Sequence, residues 1–192
     1  PAQIALTLNA VPTFSIPAKV RIEGTPGATE LLLTTNTVTD RVLFRSNGND
    51  IVVSGVKMVR NADFPLLFID VGAFTNLRFE HCYFDGKVNT YATSYVHGIG
   101  LNQVGTKTKI AVYDCDFTRM RSAVVQDNAT TSTVDTVIVD RCRFAENIRN
   151  DLEFNAPNAT MRNVSVLNSS FRDNASATFG FGVAFAHVTG GV

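Results

Sequence analysis

The chain has 192 residues and balances 17 Lys and Arg against 17 Asp and Glu, so its formal net charge is zero. This length suffices for one domain with a sizeable core, and the neutral balance argues against a nucleic-acid partner, which normally requires a basic patch. No apolar run approaches the length of a membrane-spanning helix, so no membrane insertion is predicted. The odd cysteine count without CxxC spacing predicts neither a disulfide framework nor a metal site, and no cofactor is expected.

One pattern of eight residues recurs along the chain. Positions 1 and 3 are apolar, positions 4 and 5 form a gap, position 6 is a small residue and position 8 is Phe or Met. After an early strand segment, VRIEG (20–24), it appears as IVVSGVKM (51–58), LRFEHCYF (77–84), IAVYDCDF (110–117), VIVDRCRF (137–144) and VSVLNSSF (164–171). Each half alternates with a period of two, which is typical of strands. The gap interrupts the alternation and therefore predicts a sharp bend between two short strands.

A second alternating run follows each repeat. These runs are PLLFID (65–70), HGIGLNQ (97–103), SAVVQDN (122–128), NDLEFN (150–155) and FGVAFAH (181–187). Gly, Asn, Thr and Ser clusters separate the runs and predict loops. Each unit thus has three short strands, and units stacked about 4.8 Å apart bury a continuous core. The sequence predicts an all-β parallel β-helix of about six coils; a β-sandwich, the alternative, does not explain the recurrence at a fixed interval.

Two rows of side chains are predicted from the same alignment. Cys82, Cys115 and Cys142 take one inward position in successive coils, which predicts free, buried thiols. The adjacent inward row consists of Phe84, Phe117, Phe144 and Phe171. Outward positions bring Asp114 beside Arg141 and Asp116 beside Arg143, which predicts ion pairs between adjacent coils.

The pattern V-x-V-x-N-C-x-F-x-x-N, then a loop, then G-I-x-L, resembles right-handed β-helices of the pectate-lyase type. That group includes polysaccharide lyases, pectin hydrolases and bacteriophage tailspikes. The resemblance covers about residues 20–192 and implies a right-handed, single-stranded parallel β-helix. IPAKVRIEGTPGATELL resembles the entry coil of tailspikes. The bend position that many relatives fill with Asn is filled here by Gly55, His81, Asp114, Arg141 and Asn168.

The tailspike resemblance implies a homotrimer on a virion tail or outside the cell, with a bacterial surface polysaccharide as partner. Residues 1–192 are expected to form a single β-helix domain within a longer chain, because FGVAFAHVTGGV ends where another strand should begin. The Asn-Thr-Asp, Asp-Asp and Arg-Ile-Lys motifs of pectin hydrolases are absent, so that activity is not implied. Arg121 and Arg149 precede two of the second runs and keep a lyase open.

The second runs also contain the candidate catalytic residues. Strict alternation places Leu152 and Phe154 in the core and points Asp151 and Glu153 outward together, with Cα atoms about 6.6 Å apart. Glycosidases use two carboxyl groups about 5–5.5 Å apart for retention or about 6.5–9.5 Å apart for inversion. Repulsion between the two would raise the pKa of one and create the acid. Asp127 is a third candidate carboxylate.

Around this pair, polar side chains are candidates for binding sugar hydroxyls. Asn102, Gln126 and Asn155 are predicted to form an outward amide column, and His97 in YVHGIG is similar to the GHG of pectin hydrolases. Three functions stay open at this point: a depolymerase, with a glycosidase favoured over a lyase; a glycan-binding β-helix without activity; and a structural shaft or adhesin. The absence of Trp and the presence of only four Tyr count against an aromatic platform for sugars.

Overall fold

The chain forms a parallel β-helix with three strands in each turn. The computed structural model describes residues 2–8, 14–35, 41–46, 48–61, 64–73, 76–87, 95–127, 131–155, 160–173, 180–186 and 188–191. Regular structure in these ranges consists of strands arranged in three parallel sheets of seven strands each. The predicted all-β solenoid is therefore confirmed. None of these ranges contains a helix capable of crossing a membrane.

The three sheets run the length of the solenoid. Sheet I contains β1 (Ala2–Thr7), β4 (Thr29–Thr34), β7 (Val56–Arg60), β10 (Tyr83–Asp85), β13 (Asp116–Thr118), β16 (Arg143–Ala145) and β19 (Ser170–Arg172). Sheet II contains β2 (Phe14–Ile16), β5 (Arg41–Ser46), β8 (Leu66–Val71), β11 (Val96–Gly100), β14 (Ser122–Gln126), β17 (Leu152–Asn155) and β20 (Val183–Ala186). Sheet III contains β3 (Arg21–Glu23), β6 (Ile51–Ser54), β9 (Leu77–Glu80), β12 (Gly105–Tyr113), β15 (Ser132–Asp140), β18 (Thr160–Leu167) and β21 (Val188–Gly191).

The repeat found in the sequence is the passage from sheet III to sheet I, and the bend lies where the alternation was interrupted. The bend residues Gly55, His81, Asp114, Arg141 and Asn168 have φ of 69°, 51°, 52°, 52° and 48°. This left-handed conformation turns the chain sharply, and it is tolerated best by Gly and Asn. The turn from sheet III to sheet I is therefore made by a single residue in each of these coils.

The predicted ion pairs flank this bend. Arg141 donates to both carboxylate oxygens of Asp114 at 2.8 Å, and Arg143 Nη2 lies 2.6 Å from Asp116 Oδ2. Each pair joins neighbouring coils across the outer surface, so both pairs are confirmed.

Phenylalanine rings stack along the axis inside sheet I. The centroids of Phe84 and Phe117 are 4.7 Å apart, those of Phe117 and Phe144 5.3 Å, and those of Phe144 and Phe171 4.9 Å, with nearly parallel planes. Parallel, in-register strands place identical side chains directly above one another, which aligns the rings.

The cysteines form a second row beside the rings. All three thiols are free and buried, as predicted. The Cys82 amide donates to Cys115 Sγ at 3.4 Å, and the Cys142 amide donates to Ser169 Oγ at 3.1 Å. The side chains of this row therefore fill the core and also accept hydrogen bonds from backbone amides that follow the bend.

Sheet II departs from strict alternation by a bulge. Ala123 and Val124 both belong to the hydrophobic core, and the amides of both donate to the carbonyl oxygen of Asp151, at 2.9 and 3.1 Å. One extra inward residue shifts every later side chain to the other face. Consequently Ile99 pairs with Val124 and not with Ala123.

Candidate functional site

The candidate site lies on the outer face of sheet II, where β11, β14 and β17 are adjacent. Glu153 of β17 pairs with Val125 of β14, and only 2% of the residue is exposed. Arg149 Nη2 donates to Glu153 Oε1 at 2.9 Å, whereas Glu153 Oε2 has no hydrogen-bond partner. Burial raises the pKa of Glu153 and the charge of Asp127 adds to the rise, while Arg149 opposes it.

Asp127 follows β14 directly, and the side-chain amide of Asn102 on the neighbouring coil holds it in place. Asn102 Nδ2 donates to Asp127 Oδ1 at 2.9 Å, and the Asp127 amide donates to Asn102 Oδ1 at 3.1 Å. Because Gln126 pairs with Phe154, Asp127 lies one strand and two residues from Glu153, which corresponds to about 8 Å between Cα atoms. The carboxylate pair on this face is therefore Asp127 and Glu153.

Asp151 does not share this face. It is fully buried, and its Oδ1 accepts a hydrogen bond from Asn147 Nδ2 at 2.5 Å. Asn147 is also fully buried, and its Oδ1 accepts from the amide of Met120 at 2.9 Å. The outward position predicted for Asp151 is wrong, because β17 begins only at Leu152 and the carboxylate before it is buried against Asn147.

The predicted amide column is corrected in the same way. Gln126 is fully buried opposite Phe154, and neither atom of its amide group has a hydrogen-bond partner. Asp127 instead occupies the outward position between Asn102 and Asn155. Asn155 is exposed, and Asn102 is half-buried against Asp127. The outward column thus consists of Asn102, Asp127 and Asn155. The outward position predicted for Gln126 is wrong.

His97 lies at the beginning of the same face and pairs with Ser122. Its side chain is half-buried, and its Nδ1 has no hydrogen-bond partner. Burial lowers the pKa of His97 to about 4; Asp127 opposes this shift and Arg121 adds to it. The imidazole is therefore neutral near pH 7 and can accept or donate a hydrogen bond.

A groove of about 460 Å³ opens beside Glu153. Its lining includes Arg149, Asn150, Glu153, Asn155 and Phe181. The sequence had drawn attention to Arg149 only as an arginine preceding a strand. Asn150 and Phe181 begin two of the alternating runs, but the pattern assigned neither to the site, and both precede the observed strands β17 and β20.

A second groove, of about 480 Å³, lies at the bend beside Tyr83. Its charged groups are already engaged in ion pairs, with Lys57 Nζ 2.7 Å from Glu30 Oε2 and Asp116 bound to Arg143. Among the side chains that the structure describes, no three of His, Cys, Asp and Glu are grouped to hold a metal ion.

Comparisons of the chain with protein-family models, with curated proteins and with solved structures found no match. The parallel β-helix rests on the structure itself. The likeness to tailspikes and pectate lyases rests on the sequence pattern alone.

Proposed function

We propose that the chain is the β-helix of a tailspike-like protein that binds and cleaves a bacterial surface polysaccharide. Glu153 is the general acid and Asp127 the second carboxylate. The observation that supports this most directly is Glu153 itself: its pKa is raised, one carboxylate oxygen has no partner, and it lines an open groove.

The acid must carry a proton at the pH of the reaction. A carboxyl group buried beside a second carboxylate keeps its proton to higher pH than an exposed one. Oε2 of Glu153 is available for this proton, because Arg149 binds Oε1. Glu153 then donates the proton to the glycosidic oxygen as the bond breaks.

Asp127 supplies the opposing carboxylate. Side chains that project in parallel keep roughly the separation of their Cα atoms, here about 8 Å. Asn102, on the coil away from Glu153, holds the Asp127 carboxylate by a hydrogen bond. This separation matches the 6.5–9.5 Å or so of inverting enzymes, in which the second carboxylate activates a water molecule. Inversion at the anomeric carbon is therefore the expected outcome.

The rest of the proposal follows from the resemblance in sequence. A tailspike acts as a homotrimer on a virion tail or outside the cell, and its substrate is capsule or O-antigen. The alternative is a β-helix that binds glycan without cleaving it. The ion pair of 2.9 Å between Arg149 and Glu153 favours this alternative, because it stabilises the ionised carboxylate.

The test is an incubation of the protein with a panel of capsule and O-antigen polysaccharides. New reducing ends without an unsaturated ultraviolet chromophore are expected, with inverted anomers in the NMR spectrum of the first products. Glu153→Gln and Asp127→Asn should each lower the rate by roughly 10²–10⁴-fold. Glu23→Gln, which alters an exposed carboxylate on sheet III, is the control and should leave the rate unchanged.

Three results would decide against parts of the proposal. Binding without any new ends would favour the non-catalytic alternative. An unsaturated product would identify a lyase. Full activity of Glu153→Gln, with its fold verified by circular dichroism, would overturn the assignment of the acid. Sedimentation equilibrium of the same samples tests the trimer.

A further inference from the structure

An exposed aromatic ring lies next to the proposed acid. Phe181 is 60% exposed and lines the groove together with Asn150 and Glu153. Asn150 and Phe181 each lie two residues before the paired Leu152 and Val183, so the two are neighbours on adjacent coils. The Phe181 carbonyl accepts a hydrogen bond of 3.0 Å from the Asp151 amide, which fixes the backbone at this position.

Two buried polar atoms of this groove have no partner. Asn150 is 6% exposed and Glu153 2% exposed, yet Asn150 Oδ1 and Glu153 Oε2 make no hydrogen bond. A buried polar atom without a partner is costly, and native proteins leave few of them. Their position beside an exposed ring is the arrangement of a ligand site: an apolar surface with a few convergent polar groups.

We propose that Phe181, Asn150 and Asn155 form a sugar-binding subsite adjacent to Glu153, which takes a pyranose ring with one face made of C–H bonds. The inference rests on the proposed function, since it names the class of sugar at that site. The face of an aromatic ring is electron-rich and attracts the polarised C–H bonds of a sugar. Asn150 Oδ1 accepts a hydrogen bond from a hydroxyl at the rim of the sugar ring, and the exposed Asn155 is available to a second hydroxyl.

Small side chains beside Phe181 leave room for a sugar ring. Ala184 and Ala186 line the groove on β20, and their small side chains leave space above the sheet. β-Linked glucose and N-acetylglucosamine have equatorial substituents, so axial C–H bonds cover both faces of the ring. The axial 2-hydroxyl of mannose interrupts one face. The subsite should therefore prefer β-linked gluco-configured units to α-linked mannose.

Saturation-transfer NMR tests this directly and does not require cleavage. The probes are cellotetraose, chitotetraose and α-1,6-linked mannotetraose, and the protein is irradiated at its aromatic protons. Saturation should reach the axial ring protons of cellotetraose or chitotetraose more strongly than those of mannotetraose. Phe181→Ala should weaken binding roughly tenfold, as expected for loss of an aromatic contact. Phe181→Tyr should retain binding, and so should the control Leu167→Ala, an exposed apolar residue on sheet III.

The two proposals can fail separately. The subsite is refuted if neither gluco-configured probe receives saturation, or if Phe181→Ala binds them as wild type does. Binding through Phe181 without cleavage of any polysaccharide would refute the hydrolase and support the subsite. Cleavage that depends on Glu153 but keeps the wild-type KM in Phe181→Ala would refute the subsite and support the hydrolase.

Discussion

Gln126 illustrates how a single residue can conflict with its surroundings. Its side chain is fully buried in a row where its neighbour across the sheet is Phe154, and both atoms of its amide group lack partners. Burying an amide group is unfavourable unless hydrogen bonds within the protein replace those that the group made to water. Gln126 is therefore a cost to stability that neighbouring side chains do not offset.

Gln126→Met should stabilise the protein. Methionine has nearly the same length and volume but no polar atom to desolvate, so the free energy of unfolding should rise by about 1–2 kcal/mol. Urea denaturation measures this, with Asn155→Met at an exposed position as the control. If Gln126→Met were less stable than wild type, the Gln126 amide would have to make stabilising hydrogen bonds in the folded protein, and the prediction would be wrong.

At the scale of elements, the bend between sheets III and I determines the coil. His81 occupies this bend with φ of 51°, and its amide donates to the Tyr113 carbonyl of the next coil at 3.1 Å. In the preceding coil, Gly55 takes the same position with φ of 69°. The left-handed conformation costs a residue with a Cβ roughly 1–2 kcal/mol, whereas glycine adopts it freely.

A substitution series at His81 tests this cost. His81→Gly should raise the free energy of unfolding by about 0.5–1 kcal/mol, because the relief of strain exceeds the extra entropy of the unfolded chain. His81→Asn should be close to neutral, and His81→Val should destabilise by more than about 1 kcal/mol. Thermal and urea unfolding of the three variants measure the order of their stabilities. If valine were tolerated as well as glycine, the bend would not depend on this conformation.

At the scale of the whole molecule, hydrogen bonds between polar groups connect β5, β8 and the segment that joins β11 to β12. Lys107 is fully buried, and its Nζ donates to the Gln103 carbonyl at 2.5 Å. Gln103 Nε2 donates to Asp70 Oδ2 at 3.1 Å, and Arg45 Nε donates to the same oxygen at 2.7 Å. Burial lowers the pKa of Lys107 from 10.5 to about 8, and Asp70 opposes the shift.

This shift predicts how global stability depends on pH. Below pH 8 the lysine is charged in the folded and unfolded states, so the cost of burying the charge is constant. Between about pH 8 and 10.5 the unfolded chain binds the extra proton, so stability rises with pH, by up to about 3 kcal/mol. The free energy of unfolding of wild type minus that of Lys107→Met should follow this rise. A difference that stays flat over this range would contradict the lowered pKa.

The sequence by itself determined the solenoid. The spacing of Ile51, Leu77, Ile110, Val137 and Val164 gave the coil, and the interrupted alternation gave the bend. It also aligned the Cys and Phe rows and the ion pairs across coils. These features were predictable because a parallel, in-register stack repeats one local pattern, so sequence alignment and spatial alignment coincide.

Tertiary structure alone decided the composition of the candidate site. Alternation assigned Asp151 and Gln126 to the outer face. The bulge at Ala123 and Val124 turns Gln126 into the core, and Asp151 precedes β17 and is buried against Asn147. A short apolar run looks the same with or without a bulge, because the hydrogen bonds that define one come from the neighbouring coil. Asp127 was thereby placed diagonally to Glu153, because packing between coils, and not the order of residues in one strand, decides which carboxylates share a face.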